Sequence, residues 1–152
     1  MTTLAPASPG MSKREFVTQY RETDLAFMSR LTEHLGVSFS FDHKDGSDKL
    51  VTIDADPASK TYGQVIHKLS VGGRGEAHHM GFTDDRRFLW AGGLDDSRIY
   101  IFDVFTNPAK PRLVRTLQDL PGETGLVGPH TFYAMPGRML VQFLSNTNDH
   151  GG

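Results

Sequence analysis

Cysteine is absent from all 152 residues. Its absence excludes disulfide staples, thiolate metal sites and a cysteine nucleophile, so any metal must be held by histidine, carboxylate or methionine. An excess of one charge is missing as well. The 16 basic and 18 acidic residues leave a formal charge of −2 and are spread along the whole length, so no basic face stands ready for phosphate backbones and nucleic acid is not an expected partner. No stretch approaches the roughly 18 apolar residues of a membrane helix. The opening MTTLAPASPG has neither a basic n-region nor an apolar h-region behind it. We therefore expect no membrane span and no signal peptide, and place the chain in the cytoplasm with the periplasm as the alternative. What is present is a 38% hydrophobic composition, which suits one globular domain and neither a disordered nor a fibrous chain.

Residues 1–11 have the Pro/Ser/Thr composition of a loose terminus. Ser12, three residues before Glu15, makes a capping box, and Phe16, Tyr20, Phe27, Met28, Leu31 and Leu35 follow at near-helical intervals up to Gly36. This predicts an amphipathic helix over 12–36, packed on its own domain or, alternatively, offered to a partner. From about residue 49 the period changes to short β-branched and aromatic runs broken by Asp, Gly, Asn and Pro. The predicted strands are Leu50 to Asp54, Gln64 to Leu69, His78 to Phe82, Phe88 to Ala91, Arg98 to Val104, Leu113 to Leu117, His130 to Ala134 and Met139 to Leu144.

These strands repeat. KLVTIDADPASKTYGQVIHKL has the layout of RIYIFDVFTNPAKPRLVRTL, with Asp54 over Asp103 at an offset of 49, and AHHMGFTDDRRFLWAGG corresponds to GPHTFYAMPGRMLVQFLSN, with His79 over His130 and Leu89 over Leu140 at an offset of 51. A period of about fifty residues with four strands in it suits a β-propeller blade better than a helical solenoid. The fold class expected is all-β, with a partial propeller of about two four-stranded blades over 49–152 behind the helix. Two blades leave apolar faces uncovered, which implies either a partial chain or a ring closed by self-association through those faces.

Of seven histidines, His78, His79 and His130 fall at strand starts that the repeat makes equivalent. The innermost strand of each propeller blade lines the central channel, so such side chains converge on the axis. Three imidazoles without thiolate suit copper, zinc, iron or nickel, and favour copper or iron over a structural zinc site. Neighbours on a strand point to opposite faces, so His78 and His79 share one face only if the backbone is twisted or bulged between them. Glu76 stands just before the pair and is the candidate to orient an imidazole or shuttle a proton. His34, His43 and His67 carry no expected role, and His150 reads as a surface residue. The runs FTDDRR and GLDDSR read as solvated turns.

At DADPASKTYGQVIHKL, GEAHHMGF, DSRIYIFDV, GPHTFYAMPGRMLVQFLSN and DHGG, the chain resembles the selenium-binding protein family, whose members include methanethiol oxidases. The resemblance covers roughly residues 49 to 152 and implies a seven-bladed propeller. It also implies a histidine-held copper centre that oxidises methanethiol with O2 and water to formaldehyde, hydrogen sulfide and hydrogen peroxide. By motif position, His78, His79 and His130 are the implied ligands and a small thiol and O2 the implied substrates. The family's N-terminal Cys-Gly-Pro-Gly-Tyr-like segment and its selenium-linked cysteines have no counterpart here, which removes thiol-mediated selenium binding. A non-catalytic propeller scaffold that binds other proteins is the alternative, because the fold serves binding as well as catalysis.

Overall fold

The computed structural model describes residues 36–148. The N-terminal segment 1–11, the predicted helix short of Gly36, and the last four residues with His150 lie outside the described residues. Nine strands and one short helix follow in order: β1 Val37–Asp42, β2 Lys49–Asp54, β3 Val65–Ser70, β4 Ala77–Phe82, β5 Phe88–Gly93, β6 Arg98–Asp103, β7 Arg112–Leu117, α1 Leu120–Thr124, β8 Leu126–Met135 and β9 Arg138–Asn146. The strands divide into sheets of order β1-β2-β3, β4-β5-β6-β7 and β8-β9, and within each sheet every strand pairs antiparallel with its neighbour in sequence.

The eight predicted strands correspond to β2 through β9, so the repeating β reading holds, but its boundaries need correction. Among the described residues strand structure begins at Val37, not near residue 49, because Val37, Phe39 and Phe41 alternate with Ser38 and Ser40 at the strand period. The described residues therefore form one complete four-stranded sheet, flanked by a three-stranded and a two-stranded one, in place of two whole units. Helix α1 is a single turn after β7. It stops at Gly125, whose left-handed backbone (φ 70) lets its N–H reach the Pro121 carbonyl at 2.9 Å.

Two apolar seams hold the sheets face to face. Val37, Phe39 and Leu50 of the first sheet pack with Leu89, Ala91, Tyr100 and Phe102 of the second, joined by Met80 and Phe82. Ile99 and Ile101, on the opposite face of the second sheet, pack with Leu120, Phe88, Trp90, Phe132, Val141 and Phe143. The central sheet is thus buried on both sides, which is why β6 reads as the unbroken apolar run Ile99-Tyr100-Ile101-Phe102.

The repeat survives at the turns. Asp54 accepts hydrogen bonds from Asp56 N, Ser59 Oγ and Thr61 Oγ1. Asp103, its counterpart, accepts from Phe105 N, Thr106 N, Thr106 Oγ1 and Arg112. On the later strands the expected offset of 51 holds in the pairing, where His78 opposite Gly92 and Met80 opposite Ala91 stand 51 residues before Pro129 opposite Phe143 and Thr131 opposite Gln142. The packed faces are one residue out of step with that count, since Met80 and Ala91 pack toward the preceding sheet but Phe132 and Val141 do so in the later one.

Candidate metal centre

Both histidine strands are interrupted by a β-bulge. In β4 the register passes from His78 opposite Gly92 to Met80 opposite Ala91, leaving His79 as the extra residue, with φ 47. In β8 it passes from Pro129 opposite Phe143 to Thr131 opposite Gln142, leaving His130 as the extra residue. A bulge re-aims a side chain that regular pleating would send to the other face. Here it removes the obstacle that adjacent residues on a strand present, and His78 and His79 end with ring centroids 4.4 Å apart. His130 completes the group at 3.8 Å from His79 and 5.6 Å from His78, ring centre to ring centre. One potential ligand atom from each of the three lies within 4.8 Å of the others.

Strand β8 reaches this position because it lies directly against β4 and β5. Glycine makes the approach possible. A Cβ on Gly92 would sit 2.3 Å from the Pro129 carbonyl oxygen, and one on Gly81 would sit 2.6 Å from Phe132 Cβ. His130 is consequently not at a strand start as expected: β8 begins at Leu126, and the histidine sits in the bulge inside it.

Glu76 contributes through its backbone. It has φ 52, and its carbonyl accepts a 2.7 Å hydrogen bond from His78 Nδ1. A carbonyl can only accept, so Nδ1 carries the proton and Nε2 keeps the lone pair a metal needs. The Glu76 side chain is exposed.

The segment before His78 is built more tightly than its glycine-rich sequence suggests. Gly75 N and Ala77 N both donate to Asp48 Oδ2, at 2.9 and 2.8 Å, while His43 Nδ1 donates to Asp48 Oδ1 at 2.7 Å. Asp48 is 0% exposed. Burial pushes its carboxyl upward, but the hydrogen bonds from His43, Gly75 and Ala77 outweigh burial and hold it below the usual carboxylate range. Ser97, 49 residues on, plays the corresponding part in the next unit, its Oγ accepting from Gly128 N at 3.1 Å, two residues before His130. Neither anchor was foreseen, since GLDDSR reads as a solvated turn and Asp48 carries no sequence signal of its own. The periodic offset between Asp48 and Ser97 is the one signal that could have found them.

The donor set can be tested against a metal. Metal–imidazole bonds of about 2.0–2.1 Å hold nitrogens roughly 3–4 Å apart, so these three need to draw together by about an ångström. His78 and His130 are half-buried and His79 is exposed, which leaves an open side where a further ligand or substrate can approach. Three neutral imidazoles with no thiolate suit copper and iron as well as zinc. Among the described residues, no helix is long and apolar enough to cross a membrane.

Stacked antiparallel sheets that gather imidazoles where two sheets meet define a class of β protein built around a histidine cluster. The profile of the 56 kDa selenium-binding proteins matches residues 18–152. A methanethiol oxidase of a Hyphomicrobium species is 67% identical over 108 residues, 71% of this chain and 25% of that protein. One of Ruegeria pomeroyi is 58% identical over 109 residues, again 71% of this chain and 25% of that protein. Selenium-binding protein 2 of Arabidopsis thaliana is 37% identical over 117 residues. The crystal structure of a hypothetical selenium-binding protein from Sulfolobus tokodaii matches with a TM-score of 0.69 at 25% identity, over 74% of this chain and 30% of that one. The chain belongs to the 56 kDa selenium-binding protein family, and spans about a quarter of the length of the relatives it matches.

Proposed function

We propose that His78, His79 and His130 hold a copper ion, and that the protein oxidises methanethiol with O2 and water to formaldehyde, hydrogen sulfide and hydrogen peroxide. The observation that carries this reading is the pair of bulges that turn three imidazoles into one space. The bacterial relatives' name, methanethiol oxidase, supplies the substrate. Copper, when bound, would supply the one-electron redox chemistry that reaction with O2 calls for. The protein's own part is to present three Nε2 or Nδ1 lone pairs, to fix the His78 tautomer through the Glu76 carbonyl, and to leave an open side wide enough for a small thiol. We assign the Glu76 carboxylate the task of taking the thiol proton. Glu76→Gln is expected to lower turnover with copper content unchanged.

We read the three sheets as successive parts of a propeller. What supports this is that each sheet turns equivalent faces to its neighbours and that β4 and β8 lie side by side with their bulges together.

The test uses the full-length protein purified from copper-rich medium. Bound copper and consumption of methanethiol are expected, both lost in His130→Ala with the fold retained. A well-folded protein that holds no metal and leaves methanethiol untouched would instead point to the binding scaffold.

A further inference from the structure

We propose that Asp48 is a positioning residue for His78, acting through the turn Gly75-Glu76-Ala77 and not through any contact with the imidazole. The inference rests on the metal-centre reading only for its consequence; the geometry stands by itself.

One carboxylate oxygen of Asp48 takes the N–H groups on either side of Glu76, from Gly75 and Ala77. Two amides converging on one oxygen oblige the residue between them to bend, and Glu76 accordingly has φ 52, a conformation that costs of order 1 kcal/mol for a residue with a Cβ. The bend directs the Glu76 carbonyl at His78 Nδ1, where the 2.7 Å bond forms. Hydrogen-bonding the other ring nitrogen is how proteins settle which nitrogen a metal sees. The other end of Asp48 is held from the β1–β2 turn by His43, so the carboxylate transmits the position of the first sheet to the histidines of the second. The surroundings leave the turn little room to relax. Gly75 is flanked on its other side by Asp96, whose carboxylate a Cβ there would strike, and the Gly75 carbonyl accepts from Asp95 N at 3.0 Å. Burying a carboxylate completely for the sake of a surface turn would be a poor use of it; fixing a strained residue next to a ligand gives it a purpose.

The experiment reads the His78 ring directly, by nitrogen NMR of the full chain labelled with 15N-histidine, metal-free at pH 8. In the wild type His78 is expected with the proton on Nδ1; a proton on Nε2 overturns the proposal whatever the variants do. In Asp48→Ala the ring is expected to become a mixture of both tautomers, with copper(II) affinity about ten- to a hundred-fold weaker. Asp48→Asn is the rescue: its carbonyl oxygen can still take both amides and its NH2 can face His43, so tautomer and affinity are expected close to wild type. Leu89→Ala, destabilised in the same core without touching the turn, separates positioning from stability and should keep the wild-type tautomer. An unchanged His78 in Asp48→Ala, or the same mixture in Leu89→Ala, contradicts the proposal. A wild type that binds no copper but shows the tautomer response refutes the metal centre and leaves the role of Asp48 standing.

Discussion

Thr52 carries a hydroxyl into the interior. Its residue is 0% exposed, and Oγ1 has no hydrogen-bond partner among the described residues. A buried hydroxyl without a partner costs about 1–3 kcal/mol, whereas valine fills the same volume without the debt. Thr52→Val is therefore expected to raise the melting temperature by several degrees, read by circular dichroism; a fall would show that the hydroxyl is satisfied. Asp103 gives the opposite case, a polar group whose partners set its behaviour. Burial opposes its ionisation, but Thr106, Arg112 and the Phe105 N–H push its carboxyl down from 3.8 to about 2. A depressed folded-state value means that its ionised form stabilises the fold above pH 3.8 and that this contribution fades as pH falls from 3.8 toward 2. The stability gap between wild type and Asp103→Asn should be fully open at pH 6 and narrow steadily below pH 4. A gap that stays constant across that range would contradict the linkage. At this scale the sequence was legible for histidine, whose chemistry is unusual enough to single out, and opaque for Asp48, because an aspartate in DGSDK looks solvated until the fold closes over it.

Among elements, the bulges in β4 and β8 matter most, and they are invisible in the sequence: an extra residue declares itself only in the pairing of two strands. The repeat could be seen with the offset that the pairing keeps, yet the face that each later residue presents could not be read, because a bulge changes the parity of the count. Strand β1, by contrast, carried a clear period-two signal in VSFSFD. The approach of β8 to β5 depends on Gly92, where a methyl would strike the Pro129 carbonyl. Gly92→Ala is expected to push β8 and His130 away from His78 and His79. Copper affinity should then drop at least ten-fold while far-UV circular dichroism remains that of a β protein. Unaltered affinity would mean that the sheets do not meet as described.

For the whole molecule, the stacking of sheets leaves an apolar face at β8 and β9, where Tyr133, Leu140 and Leu144 are 66%, 57% and 53% exposed. Each of the two seams inside the molecule buries such a face against the next sheet, and exposed apolar patches of this kind favour association. The 152-residue chain by itself is expected to associate with rising concentration in sedimentation experiments, and Leu140→Lys with Leu144→Lys to reduce that association. A chain that stays monomeric at high concentration would contradict this. The succession of antiparallel sheets could be anticipated from the fifty-residue period, whereas the division into three, four and two strands could not, because the period does not mark where one sheet ends and the next begins.

Convergence of His78, His79 and His130 on one metal ion is the claim on which the functional reading depends, and electron paramagnetic resonance of the copper(II)-loaded protein tests it most directly. The account predicts one copper per chain coupled to three imidazole nitrogens, with the three-nitrogen pattern lost when any one of the histidines is replaced by alanine. A copper signal that survives all three replacements unchanged would contradict it.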